Sequence, residues 1–148
     1  MAAPLIALLD VNILVALHDS EHVHHSLVLD WFETNVAAGW ASFPLTQNGC
    51  LRVMSEPQYP NARSFGVLSG ALAATFKSPQ HAFWNDDISL LDERRFRHDR
   101  NHGHRQLTDL YLLALAVRHK ARLVTLDGGI AASAVVGASA HHLVTLTA

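Results

Sequence analysis

Leu5-Ile6-Ala7-Leu8-Leu9-Asp10-Val11-Asn12 is a short unbroken apolar run that ends in a carboxylate and then, one residue on, an amide. The run is too short for an independent helix and has no polar alternation, so it reads as a buried strand of a parallel sheet. Asp10 then stands at the strand's carboxyl end, where open α/β sheets bind ligands because the loops leaving the strands open a crevice there. A carboxylate at the tip of a buried strand is costly unless something compensates its charge.

The flanking sequence continues the pattern. Val11 to Leu17 is predicted as a first helix closed by Asp19-Ser20, and His22 to Thr34 as a second with Val23, Leu27, Val28 and Trp31 inward. Gly39 breaks the pattern, Trp40 to Phe43 reads as a strand, and a helix runs from Leu45 to Met54 with Thr46 as N-cap. Glu56 to Asn61 is a loop, Arg63 to Phe76 a helix with Val67, Leu68, Leu72 and Phe76 inward, and Ile88 to Leu91 a short strand or irregular piece. From Gln106 the stripe Leu110, Leu113, Ala114, Val117 marks a buried helical face, with Thr108 as N-cap and Asp109 in the first turn. Arg122 to Leu126 is a second clear strand, ended by Asp127-Gly128-Gly129, and a short helix near Ile130 to Val136 and a strand from His142 to Leu146 follow. Alternating strands and helices predict one α/β domain with a mainly parallel sheet over residues 1–148.

The 148 residues suffice for a full core, roughly 70% of the unfolded surface being buried at this length. Cys50 is the only cysteine, which excludes an internal disulfide and four-cysteine zinc sites and suits a reducing cytoplasm. Met1-Ala2-Ala3-Pro4 has no basic region and the apolar run behind it stops at Asp10, so neither a signal peptide nor a membrane span is expected. The net charge of −2 does not advertise nucleic-acid binding, but Arg94 to Arg105 holds five arginines and three histidines against the single Asp99. Within it Arg97, Arg100 and Arg105 are candidates for clamping phosphate groups, against the plainer reading of a solvated loop. His18 with His22, and His102 with His104, have metal-like spacings, but no cysteine accompanies them and structural zinc is not expected. Trp31, Trp40, Trp84 and Phe83 read as core or interface.

An apolar strand followed by a polar residue occurs three times, at Asp10, Gln47 and Asp127, and Asp109 is added from a helix N-terminus. In a parallel sheet all four face one crevice. Three carboxylates about 5 Å apart would repel by roughly 3 kcal/mol per pair at an effective dielectric of 20, so the ionised cluster calls for a cation. All-oxygen ligands select Mg²⁺ or Mn²⁺, which suits hydrolysis of phosphodiesters by an activated water.

Leu9-Asp10-Val11-Asn12, Pro44-Leu45-Thr46-Gln47-Asn48-Gly49, Gly103 to Asp109 with Tyr111 to Ala116, and Thr125-Leu126-Asp127 resemble the ordered motifs of PIN-domain ribonucleases, and most of all the VapC toxins of bacterial toxin-antitoxin pairs. The resemblance covers nearly the whole chain. It implies a three-layer α/β/α fold, Mg²⁺-dependent cleavage of a transfer or ribosomal RNA, a homodimer, and inhibition by a VapB-type antitoxin. By the same resemblance Asp10, Asp109 and Asp127 hold the metal, and Asn12 and Thr108 are auxiliary. Gln47 is the departure, since the family usually has Glu there: an amide can serve as an auxiliary ligand through its carbonyl oxygen or position a catalytic water, but cannot act as a base near neutral pH. A PIN-fold protein that binds RNA and antitoxin but has lost efficient cleavage is therefore the alternative. Cleavage of structured DNA is less favoured, because the chain lacks a long basic arch or accessory domain.

Overall fold

The structure is a computed structural model that describes residues 5–100 and 103–147. Met1 to Pro4, on which the leader reading rests, and His102 of the histidine pair lie outside them. Five strands, β1 (Ala7–Leu9), β2 (Trp40–Ser42), β3 (His81–Phe83), β4 (Arg122–Thr125) and β5 (Leu143–Thr145), form one all-parallel sheet in the order β3-β2-β1-β4-β5. The helices are α1 (Val11–His18), α2 (His25–Asn35), α3 (Pro44–Ser55), α4 (Phe65–Phe76) and α5 (Leu107–Arg118).

The strands' two-residue period sorts their side chains into two cores. Ala7 and Leu9 pack with Ile13 and Leu14 of α1, Val28 of α2, Met54 of α3 and Leu68 of α4. Leu8 and Leu123 point the other way, against Leu112, Leu113 and Ala116 of α5 and against Phe96 and Val135. This is the three-layer α/β/α arrangement. The apolar run from Leu5 forms the strand its composition demands, and its fully buried centre explains the missing alternation.

The strand order reverses beside β1. The chain leaves β1 toward β2 and β3, then returns to its other side as β4 and β5. Leu9 lies opposite Val124, and the Asp10 amide extends the ladder by donating to the Val124 carbonyl at 3.0 Å. The carboxyl ends of β1 and β4 therefore flank the crevice at the switch point, the usual ligand position in such sheets.

Several expected boundaries move. Helix α2 begins at His25 rather than His22, and Val23 is 86% exposed because it lies on the preceding turn. Helix α3 starts at Pro44, a residue whose fixed φ suits the first helical position. Thr46 is thus not its N-cap, although its hydroxyl accepts the Phe43 N–H at 3.2 Å and donates to the Phe43 carbonyl at 3.1 Å. Helix α4 is capped by Ser64, and Val67 faces solvent. Thr108 lies inside the first turn of α5 instead of capping it, because a 3-10 turn over His104–Gln106 leads directly into the helix. The short helix after Asp127 shrinks to a 3-10 turn at Ala132–Ala134, and no strand forms over 88–91. Trp40 and Trp84 are core residues, whereas Phe83 on the edge strand β3 is exposed. No described helix is long and apolar enough to cross a membrane.

Candidate active site

Asp10 is the N-cap of α1 and is 6% exposed. Its Oδ1 accepts the Val11 N–H at 2.7 Å and its Oδ2 accepts the Thr125 hydroxyl at 2.7 Å, so the end of β4 holds the carboxylate at the end of β1. Asn12 completes the joint: its amide nitrogen donates to the Thr125 hydroxyl oxygen at 3.3 Å and its carbonyl oxygen accepts the Leu126 N–H at 3.1 Å. The Asp127 N–H donates to the same Thr125 oxygen at 3.0 Å, and the Asp127 carboxylate accepts the Gly129 N–H at 2.8 Å. Asp127 therefore closes an ordinary Asx turn as well as carrying charge. Asn12 and Thr125 fix the separation of the two strand-end acids.

Asp109 approaches from the first turn of α5. Its carboxyl is pushed up to about 6, first by burial and then by the charges of Asp10 and Asp127. Burial likewise raises the Asp10 carboxyl, overcoming the hydrogen bonds from Thr125 and Val11. Asp10, Asn12 and Asp109 line one open groove of about 350 Å³, together with Val15, His22 and Tyr59.

Gln47 does not join them. Its amide nitrogen donates to the Ser42 hydroxyl at 3.0 Å, and that hydroxyl also pairs with His81 Nε2 at 2.7 Å. The phase of α3 turns instead Gly49 toward α1, where an added Cβ would meet Val11 Cγ2 at 2.6 Å, and Val53 toward the groove. Thr108 faces a neighbouring cavity beside Phe43, Leu45 and Tyr111.

The donor set for a cation is all oxygen. Among the described residues no three His, Cys, Asp or Glu side chains are placed as a ready ligand cage. Such a set fits a hard ion that keeps several of its waters and leans on few carboxylates, as Mg²⁺ does, better than a caged ion such as structural zinc. The mutual charge of the three acids, visible in the raised Asp109 carboxyl, is what such an ion would relieve.

The arginine-rich segment is pinned rather than loose. Phe96 and Val135 form an antiparallel bridge, the Arg97 N–H donates to the Ala134 carbonyl and the Val136 N–H to the Arg95 carbonyl, each at 2.8 Å. Arg94 and Arg95 are paired with Asp92. Among the described residues Arg97, Arg100 and Arg105 have no carboxylate partner, although Arg97 braces the fold through the Ser133 and Val135 carbonyls. Arg97 and Arg100 also rim a separate, largely apolar cavity of about 190 Å³ beside Leu90, Phe96 and Leu107.

The PIN domain family model matches residues 7–135, from β1 through the bridge at Val135. Over 95% of the chain it is 46% identical to Ribonuclease VapC44 of Mycobacterium tuberculosis, covering 99% of that protein. The chain is a PIN domain of the VapC family. Ribonuclease VapC38 of the same organism is 42% identical over 84% of this chain and 86% of its own length, and Ribonuclease VapC39 is 39% identical over 88% and 95%. Asp10 and Asp127 stand just past the ends of β1 and β4, and Asp109 in the first turn of α5 lies near enough for their charges to act on its carboxyl.

Sequence reasoning missed the wall opposite the acids. Asp19, 3% exposed, accepts the Tyr59 hydroxyl, the Asn61 amide at 2.8 Å and the Glu21 N–H at 3.0 Å. Burial alone would raise its carboxyl, but these bonds and the Arg63 charge hold it below the usual carboxylate range. The Arg63 guanidinium in turn donates to the His18 carbonyl at 2.6 Å. His18 is occupied by the Leu14 carbonyl and the Thr75 hydroxyl, which accounts for its place without zinc. Asp19 thereby ties the α1–α2 turn to the α3–α4 loop and sets His22 and Tyr59 into the groove wall. The only local signal was a second Asp just past α1, which reads equally well as a helix stop.

Proposed function

We propose that this protein is a Mg²⁺-dependent endoribonuclease, the toxin of a VapBC-type pair. The observation that carries the reading is the convergence of Asp10, Asn12 and Asp109 on one groove at the sheet's switch point, with Asp127 electrostatically coupled to both acids. Relatives named as VapC ribonucleases support RNA as the substrate.

Asp10, Asp109 and Asp127 would hold the ion, with Mn²⁺ as a substitute. When bound, the ion supplies Lewis-acid polarisation of the phosphoryl group and makes water a better nucleophile. The chain's own residues do the positioning. Thr125 and Asn12 lock Asp10 in one orientation, so the acid does not swing when the phosphate arrives. Asp109, its carboxyl raised to about 6 by burial and by the charges of Asp10 and Asp127, is still mainly ionised at neutral pH and so available to the ion. Arg100 and Arg105, both exposed, supply charge for neighbouring phosphates, and Arg97 does so while bracing its segment.

Gln47 spends its amide on Ser42, outside the groove, so its neutrality removes no acid from the set that lines it. That favours the nuclease over the binding-only alternative. A homodimer and a VapB-type antitoxin covering the open groove complete the proposal, with the chain acting in the cytoplasm as a single domain.

The test is incubation of purified protein with total cellular RNA in EDTA, Mg²⁺ or Mn²⁺. Discrete fragments only with metal support the reading. Intact RNA in every buffer, with RNA still bound, would move the function to the binding-only protein.

A further inference from the structure

We propose that His22 is a substrate-binding residue, donating a hydrogen bond from Nε2 to a non-bridging phosphate oxygen of the RNA strand lying against Asp10 and Asp109. The inference rests on the reading of the groove as a ribonuclease site and adds a residue that the acids alone do not suggest.

Three observations converge on it. His22 lines the same groove as Asp10, Asn12 and Asp109. The backbone N–H of His24 donates to His22 Nδ1 at 3.0 Å, so the lone pair of Nδ1 is occupied and the neutral ring must carry its proton on Nε2. Among the described residues, no protein group pairs with that Nε2. Tyr59, the other polar ring of the wall, has its hydroxyl committed to Asp19. His22 is thus the wall's ring with a donor to offer.

The ring is also held still. The His22 N–H donates to the Asp19 carbonyl and the His25 N–H to the His22 carbonyl, both at 3.0 Å, while the Glu21 N–H caps the Asp19 carboxylate. His25 Nδ1 anchors the far end of the turn on the Ala16 carbonyl at 2.7 Å. A donor on a turn fixed at both ends meets its acceptor without reorganisation.

Chemistry explains why a donor is needed there. The groove's acids are acceptors when ionised, and a phosphodiester brings more acceptors and another negative charge. Burial lowers the His22 imidazole's pKa, Asp19 opposes this, and the charges of His24 and His25 lower it further. The ring therefore serves at neutral pH as a neutral N–H donor rather than as an imidazolium acid.

Two substitutions separate the ring's nitrogens. The amide nitrogen of His22→Gln reaches the place of Nε2, whereas the shorter His22→Asn ends near Nδ1 and can still accept the His24 N–H. Each is made in wild type for single-turnover cleavage and in Asp10→Asn for anisotropy with a fluorescein-labelled, mixed-sequence single-stranded RNA. Loss of a hydrogen bond to a charged phosphate predicts RNA binding by His22→Asn about tenfold weaker or more, with melting temperature unchanged, and rescue to within about threefold by His22→Gln. The opposite ranking, Asn active and Gln impaired, would assign the ring a structural role through Nδ1 and overturn the proposal. Equal loss in both variants confined to the chemical rate, with RNA affinity intact, would overturn it in favour of proton transfer. Absence of cleavage by wild type would instead overturn the underlying ribonuclease reading.

Discussion

Asp109→Asn should make the metal-free protein more stable while abolishing its activity. The Asp109 carboxyl rises from 3.8 to about 6 through burial and the charges of Asp10 and Asp127. A folded-state value above the unfolded one means that ionisation destabilises the fold: the cost is absent below about pH 3.8, grows between there and pH 6, and is complete above. At about 1.4 kcal/mol per pH unit, the rise amounts to about 3 kcal/mol before solvent screening. The side chain is half-buried, so screening leaves about half of that. Its place in the first turn of α5 returns about 0.5 kcal/mol through the helix dipole, which the amide forfeits. The net gain is about 1 kcal/mol at pH 7.5, or about 3–4 °C in melting temperature for a chain of this size. The assay is thermal unfolding of both proteins in EDTA at pH 7.5 and pH 4.5, then with added Mg²⁺. The variant should melt higher at pH 7.5, show a much smaller advantage at pH 4.5, and gain less from Mg²⁺. A variant that melts lower at pH 7.5, or differs equally at both pH values, would refute the claim that burial and the neighbouring acids disfavour an ionised Asp109.

Gln47→Glu places a carboxylate against the Ser42 hydroxyl, outside the groove, so the Mg²⁺ dependence of cleavage should be unchanged; a rise in cleavage at limiting Mg²⁺ would instead put residue 47 among the groove's acids. Gly49→Ala forces a Cβ to within 2.6 Å of Val11 Cγ2, so α1 and α3 must part, and the urea midpoint should report a loss of about 1–3 kcal/mol. Arg100→Glu and Arg105→Glu should each weaken RNA binding and flatten its salt dependence by about one charge, with stability unchanged, because neither has a carboxylate partner among the described residues. Arg97→Glu should also destabilise the protein, because the Arg97 guanidinium holds the Ser133 and Val135 carbonyls.

The parts of this protein legible in its sequence are those written in local patterns. The buried runs of β1 and β4 and the stripe of α5 announce themselves, and each ends or begins in one of the three acids. Strand β3 did not, because it is a three-residue edge strand defined by its pairing with β2 rather than by an apolar run. The start of α2 was hidden for another reason. Its preceding turn is fixed by Asp19 through Tyr59 and Asn61, forty and more residues away, and no local signal marks bonds of that range. Gln47 was placed in the right helix, but which way its amide turns depends on Ser42 and on the entry of α3 at Pro44, a phase that residue type alone does not set.

The most direct test of the carboxylate groove is the chemistry of the RNA ends produced by wild type beside Asp10→Asn across a Mg²⁺ titration. Attack by water predicts metal-dependent fragments without 2′,3′-cyclic phosphate, absent from the Asp10→Asn digest. Cyclic phosphate ends would mean that the RNA's own 2′-hydroxyl is the nucleophile, and fragments undiminished in Asp10→Asn would place the activity outside this groove; either would contradict the account.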